Sequence, residues 1–413
     1  MSGAADSTNG VVILDDLGAD RLAERLGATH RSLRDQEKVL IPVPPADLDP
    51  RQLVIALSEA GFVILKPARG EAPGGPFLAR RDSFFVREYR QGDEERILPL
   101  FRRTFYVERS LARWGWVYRE NPYGELKISE AFAEDGRLAA HYAGYPVRFH
   151  RQLGGERRTL QALQVGDTMT EPALRHVGRG PISLLGRTVR HFYARFCEGQ
   201  VDFNYGFNTG KIQRFSLSFV GARRLESLPF HVLDLAERPL APPGAFLSRL
   251  AGWRVERIRH FDERWDRFFE RVSGAYRLLV QRDARYLAWR YARCPDTEYF
   301  IYAVFRRGRL AGWSVFRRKE DRLLWGDALF DPRYPDAVRQ LLAGALAEHR
   351  EAKTVESWIV SRPSWWRERV LRLGFESRPE PNDLGFVFVP FNYDPEEDFR
   401  AHLYYTMGDS DLF

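Results

Sequence analysis

The chain has 413 residues, 44% hydrophobic and 29% charged, a composition ordinary for a folded globular protein and long enough for two or three domains. Its formal charge is +7, and all but six of its 63 basic residues are arginine. These arginines are interleaved with Asp and Glu, and no zinc-finger, RNP or basic-heptad pattern occurs, which argues against a nucleic-acid partner.

Two cysteines, Cys197 and Cys294, are too few for a disulfide scaffold or a thiolate zinc site and fit a reducing compartment. No histidine pair has metal spacing, so no metal is expected. The first residues lack the order of a secretion signal, and no apolar run approaches membrane-spanning length. The expectation is a soluble, cytoplasmic protein, with peripheral contact at the inner face of the membrane left open.

Residues 1–82 read as a separate N-terminal element. Residues 1–10 are small and polar and are expected to be disordered. A helix over 20–33 and a strand over 39–43 precede a turn at Pro44-Pro45. Asp49-Pro50 opens a helix ending at Gly61, then come a strand at 62–65 and a linker at 70–75. No catalytic constellation falls here, and the role of this element stays open.

Residues 83–235 change in pattern. A strand at 84–89 and a helix over 93–105 lead to the aromatic stretch 114–124. Four hairpin strands follow, at 128–132, 138–145, 149–153 and 159–164, the second pair turning at Gly154-Gly155. The fourth runs into the stretch around which the chain is organised, residues 166–185. It reads as a strand, a turn at Pro172, the loop Arg175-x-x-Gly178-x-Gly180, and an apolar-periodic helix to about 198. Such a loop offers unpaired N–H groups to an anion and is a phosphate site by its physics; the alternative is a tight turn whose glycines only permit positive φ. The spacing matches neither a dinucleotide loop nor a P-loop. A strand at 201–208 and a helix at 212–219 complete the unit.

Residues 236–253 form a proline-rich linker, and 254–413 repeat the first unit's landmarks in order. Trp116-x-Tyr118-x-x-x-Pro122 recurs as Trp289-x-Tyr291-x-x-x-Pro295. Gly166-Asp167, five residues before Pro172, recurs as Gly326-Asp327 before Pro332. After Pro332 the glycine loop is missing, so the first copy is expected to bind and the second to support.

The pattern resembles the GNAT superfamily of acyl-CoA-dependent N-acyltransferases in a tandem form, strongly over 84–235 and more faintly over 254–390. The most specific part is Pro172-x-x-Arg175-x-x-Gly178-x-Gly180 between a strand and a helix. The resemblance implies an α/β fold of mixed sheets, with two tandem GNAT-like domains plus the small N-terminal element. It also implies direct attack of a neutral amine on the thioester of acyl-CoA, a co-substrate, without a covalent intermediate or a metal. In this light Arg175, His176, Val177, Gly178, Arg179 and Gly180 would hold the pyrophosphate, and Met169 and Thr170 would line the pantetheine arm.

Asp167 is the candidate base, although its repeat as Asp327 in a copy without the loop favours a structural role. The tyrosine acid that the family often carries in its last helix is absent from 215–219; Tyr205 is the nearest substitute and equally reads as a core tyrosine. Asn208 reads as a pantetheine ligand or a helix cap, capping being favoured. His141 and His150 read as proton relays or packed residues. The closing stretch, residues 404–411, carries polar side chains that could reach back to the first copy. The acceptor is expected to be an amine, with a lipid amine such as a sphingoid base compatible with the aromatic content. Two rival readings are an aminoacyl-tRNA-dependent transferase and a non-catalytic acyl-CoA-binding scaffold. The oligomeric state is not legible.

Overall fold

The computed structural model describes residues 7–8, 11–14, 19–42, 48–66, 76–240 and 250–413. The Pro44-Pro45 turn, the 70–75 linker and Pro242-Pro243-Gly244 lie outside the described residues, as do residues 1–6 and 9–10 of the stretch expected to be disordered.

The N-terminal unit comprises β1 (Ser7–Thr8), β2 (Val11–Ile13), α1 (Leu22–Ser32), β3 (Lys38–Ile41), α2 (Pro50–Glu59), β4 (Phe62–Lys66) and β5 (Phe77–Arg81). Its sheet has the order β1-β2-β3-β5-β4. The Asp49 side chain accepts from Arg51 N (2.9 Å) and Pro50 takes the first helical position, so α2 starts where the sequence placed it. Leu26, Val39, Leu53 and Leu57 close a core of its own. The unit then docks through main-chain and ionic contacts: Arg190 donates to Ile64 O (2.9 Å), Arg51 to Glu198 O, and Arg187 pairs with Asp82 at 3.3 Å.

The first copy runs β6 (Phe84–Glu88), α3 (Glu94–Phe105), α4 (Leu111–Tyr118), β7 (Lys127–Ala133), β8 (Leu138–Leu153), β9 (Glu156–Thr170), α5 (Leu184–Phe192), β10 (Phe203–Asn208), α6 (Gly210–Phe219), β11 (Arg223–Ser227) and β12 (Phe230–Asp234). Two of the four expected hairpin strands are one: β8 is continuous over 16 residues. Pro146, between the two expected strands, falls between the β7 pairing, which ends at Gly144, and the β14 pairing described below, which starts at Phe149. That is an edge-like position where a missing N–H is tolerated. The β8–β9 turn is made by Gly154 and Gly155, both at positive φ, as a two-residue hairpin requires.

The second copy runs β13 (Trp253–Ile258), α7 (Glu263–Tyr276), β14 (Leu278–Val280), α8 (Ala284–Leu287) with a π turn (Ala288–Ala292), β15 (Phe300–Arg306), β16 (Arg309–Lys319), β17 (Arg322–Phe330), α9 (Ala337–Glu348), β18 (Thr354–Trp358), α10 (Ser364–Leu371), β19 (Glu376–Ser377), β20 (Gly385–Pro390), α11 (Glu396–His402) and β21 (Leu403–Tyr404).

The two copies exchange strands. β20 pairs antiparallel with β10 and β11 of the first copy, while β12 pairs antiparallel with β18 and β19 of the second. β14 and β21 also extend the first sheet beyond β8. A boundary at 236–253 therefore does not separate two closed sheets, because β12 before it and β14, β20 and β21 after it complete the sheet of the other half. Linear periodicity carries no information on which sheet receives a strand. One continuous apolar core accordingly runs from Ile97 of the first copy to Phe413.

In each copy one parallel pair is short and then splays. β9 and β10 pair only at residues 162–164 with 203–205, and β17 and β18 only at 322–324 with 354–356. Between the copies, Trp116 Nε1 donates to Trp289 O (2.7 Å) and Trp289 Nε1 donates to Trp116 O (2.8 Å), with the indoles stacked at 5.1 Å. Two residues on, Tyr118 OH donates to Asp167 (2.8 Å) and Tyr291 OH to Asp327 (2.7 Å). Arg109 bonds Asp167 and Arg282 bonds Asp327 (2.9 Å). Each carboxylate accepts from one tyrosine and one arginine, and Asp327 accepts in addition from Thr406 Oγ1 (3.1 Å) and Ala328 N (2.8 Å).

Removing either indole N–H leaves a buried carbonyl without its donor. Trp116→Phe and Trp289→Phe should each cost about 1–3 kcal/mol in chemical denaturation, and the double variant should depart from additivity by about 0.5–3 kcal/mol. Strict additivity would contradict the reciprocal pair. Tyr291→Phe, in the copy without the glycine loop, should destabilise as much as Tyr118→Phe, by about 1–3 kcal/mol.

Candidate active site

The site grows from an irregularity in β9. Opposite β8 the register shifts between His141↔Met169 and Ala143↔Gly166, and Asp167 takes a positive φ of 50°. A bulge of this kind turns the strand and opens it away from β10. The second copy shifts slightly earlier in the repeat, at Gly326, between Val315↔Asp327 and Phe316↔Trp325, so Asp327 stays in register.

Beyond the splay lies a cavity of about 770 Å³, a size suited to a small-molecule ligand. Val165 to Thr168 form one wall and Phe207, Asn208, Thr209 and Ile212 the other. The second copy supplies Lys319, Arg322, Leu324, Glu356 and Trp358, and the closing stretch supplies Met407 and residues 410–413. The reach of residues 404–411 toward the first copy, one of the sequence expectations, is thus realised in the cavity wall.

The glycine loop follows β9. Gly178 and Gly180 have φ of 70° and 53°, and a Cβ on Gly178 would stand 2.4 Å from Ile182 O, so only glycine fits. Among the described residues the N–H groups of Gly178, Arg179 and Gly180 donate no hydrogen bond. The first turn of α5 is capped from within: Ser183 Oγ accepts from Gly186 N (3.1 Å), and Leu184 N reaches Val177 O (3.4 Å). Free donors therefore belong to the loop. Arg175, His176 and Arg179 are exposed, and among the described residues their side chains make no ion pair or hydrogen bond.

The loop and the cavity share α6. Phe219 touches the Gly180 position, and Ile212 lines the cavity seven residues earlier, about 10 Å along the axis.

The other expected site residues scatter. Met169 is buried in the core and Thr170 ends β9; neither lines the cavity, whose β9 wall is residues 165–168. Tyr205 is buried, its hydroxyl donates to Gln164 Oε1 (3.0 Å), and burial pushes its pKa well up; it does not line the cavity. His141 is buried behind the bulge and donates from Nδ1 to Asp167 O (2.9 Å), with burial holding its pKa below the ordinary value. His150 sits against Phe269 on the far half of β8. Asn208 lines the cavity but does not cap α6: Thr209 occupies the cap position, and Asn208 Nδ2 donates to Ser216 Oγ (3.2 Å). Asp167 lines the cavity with its carboxylate already taken by Arg109 and Tyr118. Arg109 was not anticipated; it comes from the loop between α3 and α4, 58 residues away in the chain.

In the second copy the matching bulge is covered. A Cβ on Gly326 would fall 1.8 Å from the Phe413 ring, and one on Gly408 would fall 2.9 Å from Asp327 Cβ. The closing stretch thus occupies the place that the open cleft has in the first copy.

No protein-family model and no curated relative matches the chain. Similarity appears among solved structures. A GCN5-related N-acetyltransferase from Kribbella flavida is 16% identical with a TM-score of 0.53, over 75% of this chain and 71% of that one. One from Anabaena variabilis ATCC 29413 is 13% identical with a TM-score of 0.52, over 74% and 72%. A conserved protein from Enterococcus faecalis V583, described as a probable N-acyltransferase, is 11% identical with a TM-score of 0.52, over 75% and 71%. These likenesses cover about three quarters of the chain, which has the GCN5-related N-acetyltransferase fold in a tandem arrangement.

Proposed function

We propose that the chain is an N-acyltransferase that binds acyl-CoA in the first copy and passes the acyl group to an amine in the cavity. The observation that carries this reading is the splay of β9 from β10 into a cavity, with a loop of free N–H groups at the other end of α6. The loop amides of residues 178–180 and the exposed Arg175 and Arg179 suit a pyrophosphate. The open edges of β9 and β10 leave main-chain groups for a pantetheine amide, and holding thioester and amine in one cleft supplies proximity.

The acceptor is an amine with an apolar body, a lipid amine such as a sphingoid base being the reading the walls favour. Phe105, Ile212, Phe230, Leu324, Trp358 and Leu412 make much of the lining apolar. Phe105, Tyr106, Val107, Leu111 and Leu412 are exposed large apolar residues, and Phe105 and Leu412 line the cavity itself. That grouping supports peripheral contact with a membrane surface. No helix of the described residues is long and apolar enough to cross a membrane.

Ligand binding to the folded state raises its stability by about 3 kcal/mol at a hundred times the dissociation constant. Thermal unfolding with acetyl-, octanoyl- and palmitoyl-CoA should therefore show stabilisation, growing with chain length if the donor is long. Arg175→Ala and Arg179→Ala should leave the ligand-free stability within about 0.5 kcal/mol of wild type, since both side chains are exposed. Each should weaken acyl-CoA binding about tenfold or more, the loss of a charged hydrogen bond. No stabilisation by any thioester would overturn the reading.

A further inference from the structure

The closing stretch brings one carboxylate to the cleft. After β21 joins the edge of the first sheet, Thr406 and Asp409 close a reciprocal cap, with Thr406 N donating to Asp409 Oδ2 at 2.8 Å. Two buried arginines clamp the turn. Arg282 donates to Asp409 Oδ2 (2.7 Å) and to Asp327, and Arg290 donates to Gly408 O (3.2 Å), Ser410 O (3.0 Å) and Phe413 O (3.1 Å). With its main chain fixed on both sides, Asp411 stands against the bulge of β9: a Cβ on Gly166 would lie 3.1 Å from Asp411 Oδ2. A side chain at position 166 would crowd this carboxylate.

Asp411 lines the main cavity and a small adjoining void that also touches Arg109, Tyr145 and Arg290. No side chain of the described residues hydrogen-bonds to its carboxylate. Asp167 lines both spaces as well, but its carboxylate is committed to Arg109 and Tyr118, and in the covered copy Asp327 likewise accepts from Arg282 and Tyr291. A carboxylate tied to an arginine and a tyrosine in both copies, one of them without an open cleft, is a structural tie, which leaves the first cleft in need of another base.

We propose that Asp411, carried into the first copy's cleft by the closing stretch of the second, is the general base of acyl transfer. This rests on the acyl-CoA reading above. The amine nitrogen uses its lone pair to form the C–N bond at the thioester carbonyl, and the Asp411 carboxylate takes the N–H proton. The C–S bond then breaks, its electron pair leaves with sulfur, and the CoA thiolate takes up a proton from Asp411 or water. The cleft walls packed around the turn and the neighbouring Asp167 raise the Asp411 pKa to about 6, opposed by Arg109 and Arg290, while the residue itself stays open to solvent; the group is deprotonated and basic near neutrality. Asp409 is also pushed up to about 6 by burial, but it is turned to Arg282 and Asp327.

The test measures thiol release from octanoyl-CoA with n-octylamine, sphinganine and glycinamide as probe amines, across pH, beside octanoyl-CoA affinity by calorimetry. Wild-type turnover should rise through pH of about 6 to a plateau, because the base must lose its proton. Asp411→Asn should turn over about 100-fold or more slowly, lose that rising limb and bind octanoyl-CoA within about twofold of wild type. Asp411→Ser, measured identically, covers the case in which the Asn variant folds poorly, and Asp411→Glu should restore part of the rate with a displaced limb. An Asp411→Asn chain that keeps the wild-type rate or the limb near 6 overturns the base and leaves the transferase reading standing. Wild type that binds octanoyl-CoA but releases no thiol with any amine overturns the transferase reading, and the role of Asp411 with it.

Discussion

Trp116 and Trp289 each donate an indole N–H to the other's main-chain oxygen while their rings stack, and the rest of the molecule is arranged around that pair. Both indoles are buried, so neither N–H nor carbonyl has water as a substitute, and the two copies must meet in this register for either to be satisfied. From the same two turns, Tyr118 and Tyr291 reach the carboxylates that hold the two bulges. The exchange of β12 and β20 ties the copies further, since each sheet is completed by the other's strand. Neither half has a closed sheet alone.

Two equivalent clefts would follow from perfect repetition, and only one is open. The difference lies in short stretches. The first copy keeps the glycine loop before α5; the second enters α9 through Asp336 with no such loop. Residues 407–413 then lie over the second bulge, with the Phe413 ring against Gly326, and project Asp411 beside Gly166 of the first. The second copy is thus a scaffold that delivers residues into the first copy's cavity: Trp358 and Leu324 from its splayed pair, and the clamped turn from its closing stretch. A positioned group on a rigid support is what proximity catalysis requires.

Much of this was legible in the sequence because it is local. The Asp49-Pro50 helix start, the Gly154-Gly155 hairpin and the strand–loop–helix around Gly178 are fixed by residues within a few positions of one another. The repeat was legible because Trp116/Trp289 and Asp167/Asp327 keep their order and approximate spacing. What failed to show was long-range. Arg109 reaches Asp167 across 58 residues, yet it could have been found from the repeat, since Arg282 stands at the same distance before Trp289 and Tyr291. Asp411 reaches Gly166 across most of the chain and leaves no spacing signal. The strand exchange is invisible for the same reason. Asn208 misled because its type suits a cap, yet Thr209 occupies that position and Asn208 turns to Ser216.

The central claim is that one cleft of the two binds acyl-CoA and that the closing stretch of the second copy serves it. A crystal structure with a non-hydrolysable thioether analogue of octanoyl-CoA tests this most directly. The account predicts pyrophosphate oxygens on the amides of residues 178–180, the pantetheine arm between β9 and β10, and the acyl carbon facing Asp411. An analogue bound between β17 and β18, or one lying outside both splayed pairs, would contradict it.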